Sequence, residues 1–337
     1  MSTPRESARF ERLRRTRIGR VAFPKTETER ERRRIAALAV PFFALALFGA
    51  FIPLVTMFRL SVAEEFLREV SGWTLSPYRQ LFASIGAFVP VVGTEISASM
   101  TASGEAANPV YGRTIWNSLW FGAVTTVTSV VLGIACAHGL EKYDLPRKGL
   151  LVTLISFPIS LPGIVAAFMM IVLFGSTGLV TTFLGVLSGV DPITLQLTGQ
   201  PSGTALAILG LFFGYLYSMI PRATLLLRGT YAEVNTDAEE AARALGATPA
   251  QTFWHVTLPQ IRPGIVGALI LTFRTALAIF GTVLVLKSLS VVTFRFDQLI
   301  KVGYELNIAA ALATLFFLFT LLFTFLSLRY TSAEVAG

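Results

Sequence analysis

The chain has 337 residues, of which 53% are hydrophobic and only 14% are charged. A soluble domain carries about 25% charged residues, so this composition, with a mean hydropathy of +0.66, excludes a disordered chain and favours a membrane protein. One cysteine and two histidines exclude an internal disulfide and leave little for zinc chemistry. The net charge of +8 is compatible with nucleic-acid binding, so its placement along the chain has to decide that question.

Six apolar runs are long enough to cross a membrane, because a helix that spans about 30 Å of hydrocarbon needs about 20 apolar residues. Only the fifth run carries a charge, Arg274. The Gly/Ser/Thr-rich stretch after Phe174 is placed outside the membrane. The sequence therefore predicts an all-α integral membrane protein with six transmembrane helices at residues 35–58, 114–137, 149–174, 203–220, 264–286 and 306–328.

The basic residues are unevenly distributed between the two sides that these spans define. Twenty of the 28 Lys and Arg lie on the side of the two termini and 7 on the opposite side. Basic residues next to spans mark the cytoplasmic side, so both termini are predicted to be cytoplasmic. The Arg-rich start of the chain is interpreted as an arm attracted to anionic lipid, not as a nucleic-acid binder. The predicted organisation is a basic tail (1–34), a first transmembrane helix (35–58), an external segment (59–113), a core with five transmembrane helices (114–328) and a cytoplasmic C-terminal tail (329–337).

The largest cytoplasmic loop, residues 221–262, is long enough to fold and too polar to insert. Asn235 or Thr236 can cap a helix whose first turn is acidic, which suits the positive end of the helix dipole. Gly246 ends that helix, and Thr248 followed by Pro249 caps and starts another. The loop is thus predicted to be a short helix, a glycine turn and a second short helix.

This loop resembles the EAA signature of permease subunits in binding-protein-dependent ABC importers. The residues that carry the resemblance keep the spacing of that signature in a cytoplasmic loop before the penultimate span: Glu240, Ala241, Ala242, Gly246, Val256, Leu258 and Pro259. In that family the loop forms coupling helices that insert into a cleft of a cytoplasmic ATPase. The resemblance extends from about residue 114 to residue 328 and implies a multi-pass protein of the prokaryotic inner membrane.

The resemblance also implies partners: a second permease chain, identical or different, two ATP-binding subunits, an external solute-binding protein and the membrane lipid, with no nucleic acid. The sequence has no Gly-x-x-x-x-Gly-Lys-Ser/Thr phosphate loop. We therefore expect a transport subunit that is not an enzyme and holds no cofactor or metal, with ATP and magnesium bound by the partner ATPase.

A solute path requires helices that can part. The third predicted span contains Pro158 and Pro162, which remove two backbone donors and kink or unwind the helix within the membrane. Such a bend serves as a gate or solute-lining element, or it is a packing kink. Phe157 and Ser160 are candidates to line the path.

Arg274 lies about ten residues from either end of the fifth predicted span. Charged residues inside a membrane usually face a bundle interior or a watery cavity and mark function. The alternative is a structural arginine, bonded to carbonyl groups at a helix end or to an acid of the partner permease. Its guanidinium suits a carboxylate, phosphonate or sulfate better than a cation.

Within the family, the segment around Phe280, together with the Pro-rich third span, is most similar to the polyamine, phosphonate, sulfate and ferric-iron branch. The resemblance permits a spermidine- or putrescine-like solute, whereas the absence of any acid inside the spans favours an anion or a zwitterion such as an aminophosphonate. Ferric iron and sulfate are alternatives. The competing class is an ATP-independent secondary transporter or channel, which has no use for docking helices.

Overall fold

A computed structural model of the chain describes residues 27–64, 72–87, 109–191, 193–198 and 207–336. Most of the basic tail, much of the external segment and the start of the fourth predicted span lie outside the described residues. The described residues up to Leu60 belong to one unit, and those from Ser61 onward belong to a second. In the first unit, helix α1 (Glu27–Ser61) begins at Glu27, so it includes the end of the predicted tail as well as the first predicted span.

The described residues of the second unit form helices joined by turns and short loops, with an isolated antiparallel bridge between Ala63 and Trp73. Two π-helical stretches interrupt the series, Phe253–Thr257 between α9 and α10 and Leu299–Gly303 between α12 and α13. The helices are α2 (Ser76–Ala87), α3 (Val110–Lys142), α4 (Lys148–Ser160), α5 (Gly163–Phe174), α6 (Leu179–Ser188), α7 (Ala207–Tyr231), α8 (Thr236–Ala244), α9 (Pro249–Thr252), α10 (Leu258–Ala278), α11 (Gly281–Leu286), α12 (Val292–Gln298) and α13 (Leu306–Ala336).

Six helical stretches among the described residues are long and apolar enough to cross a membrane, which confirms the predicted number. They are Ala37–Ser61, Val110–Lys142, Gly163–Ser188, Ile208–Tyr231, Pro249–Ala278 and Leu306–Ser327. In a bilayer only helices and closed barrels satisfy every backbone polar group. The architecture is therefore that of an all-α integral membrane protein.

The centre of the second unit is a bundle of α3, α7 and α10, which pack against one another. Gly133 on α3 lies directly against α7, since a Cβ built there would lie 2.8 Å from the Ala223 Cβ and 3.1 Å from the Thr224 amide nitrogen. One apolar cluster joins these three helices to α5 and α11, and a second joins them near Tyr231. A third cluster joins the start of α3 to α2, α12 and α13. The bundle thus presents its connecting segments at both ends.

The predicted third span, 149–174, is not one kinked helix. Helix α4 ends at Ser160, Pro162 precedes α5, and the chain then turns at 175–178 into α6. The sequence predicts that the stretch after Phe174 lies outside the membrane. In the structure this stretch is largely helical, and α6 forms the second part of the apolar stretch Gly163–Ser188. Proline at residue 162 has no amide hydrogen to continue the ladder of α4, which explains the break.

Two other boundaries also differ from prediction. Helix α7 continues through Pro221 to Tyr231, and the helical stretch that contains α10 begins at Pro249, so the polar connection is shorter than 221–262. The fifth predicted span, 264–286, is divided because α10 ends at Ala278 and α11 begins at Gly281. Arg274 consequently lies in the last two turns of its helix instead of at the middle of a continuous one.

Candidate functional site

The segment between α7 and α10 folds much as the residue types predict. The Asn235 side chain accepts a hydrogen bond from the Asp237 amide at 2.9 Å and so caps α8, whose first turn is acidic. The helix ends at a turn in which Gly246 has φ +89°, a left-handed conformation that glycine adopts without the steric cost of a Cβ. The predicted N-cap and glycine turn are confirmed.

The next helical stretch starts with a capping box. The Gln251 amide donates to Thr248 Oγ1 at 3.3 Å, and the Thr248 amide donates to Gln251 Oε1 at 2.8 Å. Two unpaired amides at the helix start are thereby satisfied. The helix that follows is not short: it passes through the π-helical stretch Phe253–Thr257 and joins α10 without a break. A movement of α9 would therefore also move α10, with which it forms one continuous helical stretch.

The EAA-type residues divide into an exposed and a packed group. Glu240 and Ala241 on α8, Gly246 after it, and Pro259 at the start of α10 are exposed, whereas Ala242, Val256 and Leu258 are partly buried. Leu258 packs against the apolar cluster near Tyr231. Leu258 therefore packs against the bundle, whereas the exposed residues lie at the surface.

Two large apolar side chains accompany the exposed set. Leu245, which follows α8, is 89% exposed, and Trp254, in the π-helical stretch Phe253–Thr257, is 63% exposed. Both side chains are therefore accessible to another protein surface. The two residues and the exposed residues of α8 are together called the α8 surface below.

A buried acid that the sequence pattern does not single out lies on the opposite side of α8. Glu239 is 7% exposed in its side chain and receives hydrogen bonds from Lys142 Nζ, at 2.6 Å, and from the Thr257 hydroxyl. Burial alone would raise the pKa of the Glu239 carboxyl, but the hydrogen bonds from Lys142 and Thr257 outweigh burial and lower that pKa below its ordinary value. Lys142 is 97 residues away in sequence, so no local pattern reveals this pair.

The residues predicted for the solute path lie at two helix breaks. Phe157 and Ser160 are exposed on α4, Pro158 lies inside it, and Pro162 precedes α5. Phe280 is exposed and lies directly before α11.

The structure brings these two breaks together. Thr282 Oγ1 donates to the Gly163 carbonyl at 3.2 Å, which joins the start of α11 to the start of α5. Thr282 could not be predicted from sequence, because the contact joins residues 119 positions apart. The two interruptions therefore form one discontinuous region.

Arg274 is exposed on α10 and makes no hydrogen bond or ion pair with the residues that the structure describes. Its neighbour Phe273 packs on Phe323 of α13, with ring centroids 5.2 Å apart, and lies beside Gly122 of α3. These neighbours belong to helices that are long and apolar enough to cross a membrane. The backbone of Arg274 therefore lies within the membrane-spanning part of α10. Within the described chain, no group of three or more His, Cys, Asp or Glu could hold a metal ion.

Discontinuous helices within a membrane bundle are typical of transport proteins. Residues 129–333 match the family described as binding-protein-dependent transport system inner membrane component. Because that match covers more than half of the chain, the chain belongs to this family, the permease subunits of ABC importers.

Several characterised proteins are similar over part of their length. The chain is 32% identical to the sulfate transport system permease protein CysW of Synechococcus elongatus over 49% of the chain and 54% of that protein. It is 29% identical to the spermidine/putrescine transport system permease protein PotB of Haemophilus influenzae, over 51% and 58% respectively. It is 30% identical to the trehalose transport system permease protein SugB of Mycobacterium tuberculosis, over 49% and 51%. The chain thus spans little more than half the length of these relatives.

The fold has a solved counterpart. A crystal structure of a bacterial ABC transporter involved in the import of the acidic polysaccharide alginate superposes with a TM-score of 0.70, covering 90% of this chain and 96% of that chain at 15% identity. At this identity the similarity shows the fold alone.

Proposed function

We propose that the chain forms one half of the translocation pathway of an ABC importer, for a small solute delivered by an external binding protein. A second permease chain supplies the other half, and two ATPase subunits dock on the cytoplasmic side, where both termini also lie. ATP binding closes the ATPases, the coupling segments move together, and the membrane helices open outward. ATP and magnesium are held by the ATPase subunits.

The observation that carries this proposal is the α8 surface. Leu245 and Trp254 are exposed large apolar side chains, and Glu240 and Ala241 of α8 are exposed as well. Burial of such side chains in a partner is favourable by about 25 cal/mol per Å² of apolar surface. An ATP-independent transporter or channel does not require a surface on which an ATPase docks.

Arg274 supports a solute that carries an anionic group. No acid lies within any of the predicted spans, so a pore made from two copies of this chain offers Arg274 no intramembrane counter-charge. An anion or a zwitterion such as an aminophosphonate would supply one. The relatives named for sulfate transport favour the same chemistry, and those named for spermidine and putrescine keep a polyamine as the alternative.

The discontinuous region formed by α4, α5 and α11 is proposed to line this path. Phe157, Ser160 and Phe280 are exposed there, and Pro158 and Pro162 interrupt the backbone hydrogen bonding. Interrupted backbone within a membrane is tolerated where it lines a cavity or is covered by protein. A second permease chain or the solute path provides such surroundings.

The coupling role is tested in the assembled complex by binding-protein-stimulated ATP hydrolysis. Glu240→Lys reverses the charge on the α8 surface, and Gly246→Pro removes the left-handed turn after α8, since proline cannot adopt φ +89°. Both variants are expected to insert normally and to lose the stimulation. Unchanged stimulation in both variants would refute the coupling assignment.

A further inference from the structure

The end of α3 carries two consecutive charged residues that bind different helices. Lys142 Nζ lies 2.6 Å from Glu239 Oε2 on α8, with side chains that are 12% and 7% exposed. The other carboxylate oxygen of Glu239 accepts a hydrogen bond from Thr257, the last residue before α10. A single buried carboxylate thus joins α8 to the end of one membrane-spanning helix and to the start of another.

The preceding residue extends this connection. Glu141 Oε1 accepts from Arg228 Nε of α7 at 2.6 Å, and Glu141 Oε2 accepts from Lys148 Nζ of α4 at 2.8 Å. Glu141 therefore ties the end of α3 to two further helices. Together, Glu141, Lys142 and Glu239 connect α8 to four other helices: α3, α4, α7 and α10.

These contacts differ in how easily they separate. A partly exposed ion pair is screened by water and contributes little. A buried pair behaves differently, because separating its partners leaves an uncompensated charge in a medium of low dielectric constant, at a large cost in free energy. Of these contacts, the one between Lys142 and Glu239 therefore costs the most free energy to separate.

We infer that the Lys142–Glu239 pair is the positioning contact through which α8 moves the bundle. A displacement of α8 is transmitted by Lys142 to α3, by Thr257 to α10, and through Glu141 to α4 and α7. This inference rests on the proposed function, because it concerns the step that follows ATPase docking. It separates two adjacent acids: Glu240 faces the docking partner, and Glu239 faces the bundle.

The test uses the complete importer with its binding protein and ATPase subunits. The measured quantity is the ratio of ATP hydrolysis with and without solute-loaded binding protein. Lys142→Ala and Glu239→Gln are expected to lower this ratio about tenfold or more. A double-mutant cycle of these substitutions is expected to be strongly non-additive, since either change alone breaks the pair.

Asp144→Asn is the matched control. Asp144 is an exposed acid two residues after Lys142 and is expected to keep the wild-type ratio. Wild-type ratios in Lys142→Ala and Glu239→Gln would overturn the inference alone. A wild-type complex without any stimulation would overturn the proposed function and the inference with it.

A cross-link tests the same contact without relying on the stability of the single variants. Cys136 is the one cysteine in the sequence, so Cys136→Ser provides a cysteine-free background for the pair Lys142→Cys and Glu239→Cys. With both introduced cysteines reduced, the complex is expected to show a low ratio of ATP hydrolysis with and without loaded binding protein. A short bifunctional maleimide that cross-links the two cysteines is expected to restore this ratio. If the cross-link fails to restore the ratio, or lowers it further, α8 does not act through this contact.

Discussion

At the scale of single residues, Glu239 shows how two neighbouring acids acquire different roles. The spacing of the EAA-type residues identifies Glu240, which is exposed, but it assigns nothing to Glu239, which is buried. Sequence reasoning could predict that both acids stabilise the first turns of α8. It could not predict which acid would be buried, because that depends on Lys142 and Thr257, which reach Glu239 only in the folded chain.

The lowered pKa of Glu239 predicts a pH-dependent contribution to stability. Since the folded-state pKa lies below that of the unfolded state, the contribution is complete above the unfolded-state pKa and is lost as the pH falls through the folded-state pKa. Thermal unfolding of the purified chain should show the wild type to be more stable than Glu239→Gln at neutral pH. The difference should shrink as the pH falls below the ordinary titration range of a glutamate carboxyl, whereas a difference that is independent of pH would contradict the ion pair.

Arg274 is the residue on which the solute assignment depends. Removing a charged hydrogen-bonding group from a contact costs about 1.5–3 kcal/mol, so Arg274→Ala is expected to reduce uptake by about ten- to hundredfold. Arg274→Lys should reduce it less, because the charge is kept while the planar fork is lost. The measurement is initial uptake by the reconstituted complex at equal amounts of assembled protein.

Two results are informative about Arg274. A loss of uptake with normal assembly supports contact with the solute. If both variants take up the solute at the wild-type rate and with the wild-type preference, Arg274 is a structural residue, and the argument for an anionic solute no longer holds.

At the scale of the helices, hydrophobic length predicted the number of spans but not their interruptions. The break before α5 follows from Pro162, which the sequence shows, whereas the break between α10 and α11 has no proline or charge at Ile279 or Phe280. It is accompanied by tertiary contacts, such as the hydrogen bond from Thr282 to Gly163. Helix α6 was missed because its Gly/Ser/Thr-rich flanks are typical of a loop.

The packing of α3 on α7 provides a test at this scale. A methyl group at Gly133 would lie 2.8 Å from the Ala223 Cβ, and overpacking of this kind costs about 1–3 kcal/mol. Gly133→Ala is therefore expected to lower the thermal stability of the purified chain. Gly139→Ala on the same helix is the control, since nothing lies within 4 Å of its Cβ position; equal stability of the two variants would contradict the close approach.

At the scale of the whole molecule, the net charge of +8 is unevenly distributed along the chain. The side predicted to be cytoplasmic carries 20 Lys and Arg, including Lys142, Arg228 and Arg243 near the segment that contains α8. Three of the ion pairs described lie at this end of the bundle. One of these pairs, Lys142 with Glu239, holds α8, and the other two join α3 to α4 and α7.

The central claim is that solute passage through this chain is driven by an ATPase. The most direct measurement is solute accumulation in proteoliposomes that contain the chain with its partner permease and ATPase subunits, supplied with loaded binding protein. Accumulation is predicted to require ATP on the ATPase side and to be lost with Glu240→Lys. Equal accumulation without ATP, or without the ATPase subunits, would contradict the claim and identify an ATP-independent transporter or channel.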